Sequence, residues 1–371
     1  RVSPVLAPVD VSGRIARLRA ALVDTGADAI LVTRLPNVRY LTGFTGSAAM
    51  LLVAGDDAVF VTDGRYREQA GEQLGAAGCA IEIAIGITAD DQREHLRRVV
   101  ARADVRSILL EAAGVTWAQA RDLTDRWFPD QEILAGEPIV EGLRMVKEPA
   151  EIERIRAACH IADDALASLL PRLGSGITER QFALDLEVAM RERGAAGNSF
   201  DPIVASGPNG AKPHARPSDR VVERGELVVI DFGCVVDGYC SDMTRTVSVG
   251  EPSADARHMW EVVYESQVAG RDAVAAGVEA AAVDRVCRDI IAAAGWAEAF
   301  AHGTGHGVGV EIHEEPRVSQ ASGATLLPGH VVTVEPGVYL PGIGGVRLED
   351  TVAVTADGCD PLTAFPKHLV I

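Results

Sequence analysis

The segment RGELVVIDFG at 224–233 recurs as PGHVVTVEPG at 328–337, and each copy sets a glycine six residues before an acid: Gly225 before Asp231, Gly329 before Glu335. Downstream, each copy returns on a second strand bearing another acid, Asp242 or Glu349, with Thr244 or Thr351 two residues later. Two copies with helices between them are too few for a stacked solenoid. The pattern predicts a duplicated strand pair with helices, folded so that the two hairpins face one another.

The first hairpin can be worked out in detail. Asp237-Gly238 is a strong signal for a type I′ turn, which sets Asp231 opposite Thr244. A turn one residue earlier would oppose Asp231 to Asp242 directly, and in both registers the two acids share one side of the ribbon. Two ionised carboxylates at roughly 5 Å repel by about 3 kcal/mol at an effective dielectric near 20. Glu335 and Glu349 repeat the situation, so facing hairpins would hold four acids in one small volume. They must then take up protons or bind cations. Four carboxylates carry four negative charges, which two divalent cations balance. His306, in HGTGHGVG, offers one neutral nitrogen, and the glycines around it allow close backbone approach. Oxygen-rich ligation with one imidazole and no thiolate favours Mn or Co, with Zn and Fe also compatible.

At 371 residues the chain is long enough for two domains. In the N-terminal third, a helical spacing at Ile15, Leu18 and Leu22, with Ser12 as N-cap, precedes apolar runs at 28–33, 48–54, 58–62 and 106–110. Helix-like stretches fall at 64–74, 90–102 and 116–127. This alternation predicts an α/β layer domain over 1–137. Gly136, Pro138 and Gly142 mark a linker over 138–147, and Pro149 opens the first helix of a second, α+β domain over 148–371. There, helices are expected at 148–171, 178–194, 253–276 and 280–294, a loop over VASGPNGAKPHARPSD, and strands at 226–249, 330–340 and 345–355.

Composition narrows the function classes. The formal charge of −18, with no basic stripe to offset it, argues against a nucleic-acid partner. No apolar run reaches the length of a membrane span, and RVSPVLAPVD lacks the basic-then-apolar pattern of a secretory signal. Six cysteines without a CxxC pair read as ordinary buried thiols, so a reducing cytoplasm is the expected setting.

IDFG with SDMTRT, HGTGHGVGVEIHEEP, VVTVEPGVY and GVRLEDT, in this order, resemble the pita-bread metallopeptidases, in the branch holding Xaa-Pro aminopeptidases (aminopeptidase P) and prolidases. NVRYLTGFTGS and TDGRYREQA resemble that branch's creatinase-like N-terminal domain. The resemblance implies two divalent metal ions per chain, with Asp242 and Glu349 bridging them, Asp231 on one, and His306 and Glu335 on the other. It further implies a water between the cations as nucleophile, with Glu335 moving its proton. His214 in KPHARP and His313 in EIHEEP would steady the oxyanion, His302 would flank the proline-side pocket, and Arg347 would brace a ligating carboxylate. Proline-containing peptides are the implied substrates and a homodimer the implied assembly.

Three alternatives fit less well. Methionine aminopeptidase shares the C-terminal fold but not the HGTGHG pattern or the complete N-terminal domain. Creatinase shares both domains and works without metal, which five filled ligand positions argue against. A pita-bread binding module would be expected to have lost ligands. Tyr339 and Tyr40 are possible aromatic walls for a proline ring, but sequence alone does not separate them from core packing, and neither is placed in the site.

Overall fold

The N-terminal alternation resolves into one six-stranded mixed sheet in a computed structural model that describes residues 6–371. Its strands are β1 (Ala29–Val32), β2 (Ala49–Ala54), β3 (Asp57–Thr62), β4 (Glu82–Ile85), β5 (Ser107–Glu111) and β6 (Glu132–Gly136), in the order β4-β3-β2-β1-β5-β6. The period of two in a strand divides their side chains between two cores. Ile30, Val32, Leu51, Val53 and Leu109 join one, where Ile15, Leu18 and Leu22 of the helix Arg14–Val23 pack with Leu74 of Arg67–Ala76. Ala29, Leu31, Leu52, Ala54, Ile108 and Leu110 join the other, covered by Leu96, Val99 and Val100 of Ala89–Arg102.

Several local expectations change. Gly13, not Ser12, stands at the first helix's N-cap, and the Ser12 amide donates instead to Asp10 Oδ1 at 2.9 Å. A helix at Leu35–Thr42 was not anticipated; Pro36 in its first turn and the buried Val38, Tyr40 and Leu41 explain it. The strands β4 and β6 are sheet edges with exposed positions, so their apolar signal is weak. The stretch 138–147, read as a linker, contains the helix Ile139–Met145, whose Val140 is buried in the first of the two cores. Leu6–Arg144 forms one compact unit and Met145–Ile371 belongs to the other.

The C-terminal unit is built twice from one plan. Helices Pro149–Leu169 and Glu179–Glu192 precede strands Ile203–Ser206, Leu227–Phe232 and Met243–Ser248. Helices Ala254–Asp272 and Ala280–Ala293 precede Gly305–Gly307, Val331–Val334 and Asp350–Val354. In each copy the middle strand of the three pairs antiparallel with both others. The second copy adds Glu314–Val318 and Cys359–Pro361 at its edges. Thr178 and Ser253 cap their helices by accepting from the Gln181 and Ala256 amides. Ile203–Ser206 overlaps the first three residues of the expected loop; its four residues are too few to read as a strand.

The first hairpin takes the register centred on Asp237-Gly238. Asp237 and Gly238 have φ of 44° and 74°, Val236 pairs Tyr239, and Asp231 pairs Thr244. In the second, Val334 pairs Asp350 and Gly337 pairs Arg347, so the same register sets Glu335 opposite Glu349. Both ribbons are interrupted at this level. Strand structure lapses at Gly233 and at Ser241–Asp242 in the first, and at Glu335–Pro336 and Leu348–Glu349 in the second. Three of the four acids thus sit where the ladder opens.

Among the described residues no helix is long and apolar enough to cross a membrane. All six cysteines are free, and all but Cys359 are buried.

Candidate metal centre

The two hairpins are stitched together by the threonines that follow their acids. Thr244 Oγ1 donates to Glu349 Oε2 at 2.7 Å, while Thr351 Oγ1 donates to the Asp242 carbonyl at 2.8 Å. The Glu349 amide also donates to the Thr244 carbonyl at 3.1 Å. Each copy's threonine thereby fixes an acid of the other copy.

Ligand atoms of Asp242, His306 and Glu349 all lie within 4.8 Å of one another, and all three residues are buried. His306 Nε2 stands 3.5 Å from Asp242 Oδ2 and 3.4 Å from Glu335 Oε1. Its Nδ1 is 3.0 Å from the Gly307 carbonyl, which assigns the proton to Nδ1 and leaves Nε2 a bare lone pair facing the acids. Burial pushes this imidazole down to about 3, so it is neutral at pH 7. Thr333 Oγ1 accepts from the His306 amide at 3.1 Å and donates to Glu335 Oε1 at 3.2 Å, tying two ligand positions together.

The carboxylates are frustrated as they stand. Burial, then repulsion from Glu349, Asp231 and Glu335, pushes the Asp242 carboxyl well above its ordinary range. Burial and the Glu335 and Asp231 charges do the same to Glu349, and burial raises Glu335 to about 8. Asp231 Oδ1 and Glu349 Oε1 are buried without a hydrogen-bond partner. Such atoms are costly unless something positive meets them. Four acids, one imidazole with an outward lone pair and no thiolate suit hard or borderline divalent cations.

Arg347 supplies the fixed positive charge. Its Nη2 donates to Asp231 Oδ2 at 2.5 Å, leaving Oδ1 free, and Nε donates to Thr244 Oγ1 at 3.2 Å. Nη1 donates to Tyr339 Oη at 2.6 Å and to the Pro213 carbonyl at 3.2 Å. Tyr339 thereby ties Arg347 to His302 from behind the cleft, which it does not itself line. Its hydroxyl, receiving from Arg347, donates onward to His302 Nε2 at 2.9 Å, while His302 Nδ1 meets the Gly303 carbonyl at 2.8 Å. With both nitrogens engaged and burial pushing it to about 4, His302 is a fixed, neutral ring. Tyr40 is instead buried in the N-terminal unit beneath the Arg14 guanidinium.

One cleft of about 1000 Å³ gathers these groups: Asp231, Asp242, His306, Glu335, Arg347, His214, His302 and His313 all line it. Glu349 is buried, 1% exposed, and does not line it. The His313 ring stands edge-on to that of His306, with centroids 4.4 Å apart. Gly305 shows why the motif is glycine-rich: a Cβ there would lie 2.0 Å from the Thr333 carbonyl oxygen. Gly305→Ala should cost about 1–3 kcal/mol and displace His306. The check is a lower Tm together with weaker Mn affinity; unchanged affinity would mean that the strand absorbs the methyl group.

Comparison with known proteins places this architecture. The model of metallopeptidase family M24 matches residues 153–356, and that of the creatinase/prolidase N-terminal domain matches 14–146. The chain belongs to family M24. It is an enzyme of the pita-bread Xaa-Pro peptidase group, whose members are metallopeptidases using divalent ions. It is 40% identical to the uncharacterized peptidase YqhT of Bacillus subtilis, over 96% of this chain and 99% of that relative. A solved Xaa-Pro dipeptidase from Bacillus anthracis superposes with a TM-score of 0.93 at 38% identity, covering 98% of this chain and all of the other. An X-Pro aminopeptidase from Thermotoga maritima gives 0.86 at 36%, covering 95% and 100%.

Proposed function

We propose that this M24 enzyme removes the N-terminal residue from peptides with proline in second position, using two divalent ions held by Asp231, Asp242, His306, Glu335 and Glu349. Mn is the first candidate, ahead of Co and Zn. The observation that carries the metal site is the pair of buried, unpartnered oxygens, Asp231 Oδ1 and Glu349 Oε1, beside an imidazole whose free nitrogen faces two more acids. When bound, the ions polarise the scissile carbonyl and acidify water. Glu335, at the cleft surface, takes and returns the proton. His214 and His313 face the developing oxyanion, His302, held from behind by Tyr339, forms a wall of the proline-side pocket, and Arg347 fixes the angle of Asp231.

The cleft of about 1000 Å³ is at the upper end of the range for small-molecule pockets, which favours substrates longer than a dipeptide. A second reading, restriction to Xaa-Pro dipeptides, is favoured by Arg317, a cleft-lining guanidinium suited to a free C-terminal carboxylate. The relatives divide in the same way, one described as a dipeptidase and one as an aminopeptidase. Mn-loaded enzyme assayed on Ala-Pro and on a longer peptide beginning Ala-Pro separates the two. Cleavage of both supports the aminopeptidase; cleavage of the dipeptide alone supports a prolidase. A homodimer in the cytoplasm completes the proposal, and light scattering tests the assembly.

His313→Ala should raise the barrier by about 2–4 kcal/mol, appearing in kcat. A loss confined to KM would reassign His313 to substrate binding.

A further inference from the structure

We propose that Glu179 is the positioning residue for His214, and that this is why a carboxylate is buried at the start of the helix Glu179–Glu192. The inference rests on the reading of His214 as a substrate-facing group. Glu179 has no exposed surface and touches neither the cleft nor the metal ligands. Its carboxylate is nevertheless fully used. Oε1 accepts from the Ser206 amide at 2.7 Å, from Ser206 Oγ at 2.8 Å and from Asn209 Nδ2 at 3.2 Å. Oε2 accepts from Asn209 Nδ2 at 3.0 Å, from the Ser218 amide at 3.0 Å and from Ser218 Oγ at 2.6 Å.

All three donors belong to the two ends of a single segment. Ser206 closes the strand that pairs with Leu227–Phe232, Ser218 lies twelve residues on, and His214 sits between them. The helix N-terminus adds to the clamp, because the Glu179 and Arg180 amides donate to the Arg220 and Ser218 carbonyls at 3.0 and 2.9 Å. These hydrogen bonds outweigh burial and hold the Glu179 carboxyl below its ordinary range. On the cleft side the same segment is tied once more, at the carbonyl of Pro213, by Arg347. His214, itself exposed, therefore rides on a loop pinned at both ends by one carboxylate and beside the histidine by the arginine that holds Asp231. An exposed histidine on a free loop would lose rotational and positional order with each turnover; pinned ends remove that freedom.

Only an ionised carboxylate can serve both ends. In Glu179→Gln the amide NH2 must face either the Ser206 or the Ser218 backbone amide, so one end loses its anchor. The expected result is a loss of about 10- to 100-fold in kcat/KM for Ala-Pro, carried mainly by kcat. In a His214→Ala background the same substitution should cost less than about 2-fold, because the group it positions is already gone. Mn affinity should stay unchanged in both. Equal losses in the two backgrounds, or weakened metal binding, would overturn the proposal and make Glu179 a general structural residue. Full activity in His214→Ala alone would instead remove His214 from the machinery, a failure of that earlier reading that the cycle separates from the first. Should Glu179→Gln not fold, Ser218→Ala deletes a single donor, and its smaller loss must likewise vanish without His214.

Discussion

Glu349→Ala is expected to keep its fold, to bind neither divalent ion tightly, and to lose at least about 10³-fold of peptidase activity, the scale of several kcal/mol of transition-state stabilisation. Glu349 is the most deeply buried of the five ligand candidates, and its Oε1 has no partner while its Oε2 is held by Thr244. Deleting it opens one wall of the centre that Asp242 and His306 share with it. It also removes a carboxyl that is costly to bury and whose ionisation the neighbouring acids oppose, so the metal-free variant should melt no lower than metal-free wild type even though Thr244 Oγ1 loses its acceptor. The signature is thus loss of the Mn-induced rise in Tm without loss of baseline stability. Metal content by mass spectrometry and paired melts with and without Mn check it. Turnover that persists in a variant stripped of metal would contradict the two-metal account.

The second large effect is a pH-dependent instability of wild type prepared without metal. Burial and mutual repulsion raise the Asp242, Glu349 and Glu335 carboxyls, Glu335 to about 8. Over the interval between the ordinary carboxylate range and these raised values, the folded chain holds protons that the unfolded chain has released. Stability therefore falls as pH rises, by about 1.4 kcal/mol per pH unit for each carboxyl still protonated. His306 and His302, pushed by burial to about 3 and about 4, have the opposite sign, since the unfolded chain takes up their protons first. Their contribution is lost as pH falls through about 6.5. His330 and His313, also lowered by burial, act in the same direction as His306 and His302. From about pH 7.5 upward the unfolded histidines are deprotonated as well, the carboxyls dominate the slope, and Tm of the metal-free protein should drop. Bound cations replace the protons, so the loaded protein should show no such slope and the Mn-induced rise in Tm should grow toward pH 8. A metal-free Tm that is flat or rising over this window would mean that the four acids are not crowded together.

The repeat made much of this readable in advance. The Gly-to-acid spacing located Asp231 and Glu335, the returning strands located Asp242 and Glu349, and of the two registers open to the first hairpin the structure takes the one centred on Asp237-Gly238, in which Asp231 meets Thr244. Tyr339 was within reach of the same reasoning. It shares strand parity with Glu335, and Gly337 between them leaves room for its ring, where a Cβ would meet Tyr339 Oη at 2.6 Å. The glycine-rich stretch LPGIGG obscured the turn that fixes this parity. Other features were not legible for physical reasons. An acid in a helix's first turn ordinarily faces water, and Glu179 is buried only because a segment some thirty residues away folds back over it. The strands β4 and β6 and the helix Leu35–Thr42 owe their form to packing at a sheet edge or core, which overrides a weak local signal.

The most direct test is a calorimetric titration of the metal-free protein with Mn(II) at pH 7.5, run in parallel with Ala-Pro hydrolysis at each metal ratio. The account predicts two ions per chain, protons released on binding, and activity that reaches its plateau only when both are bound. Saturation without hydrolysis in Mn, Co and Zn alike, or the absence of tight binding altogether, would contradict it.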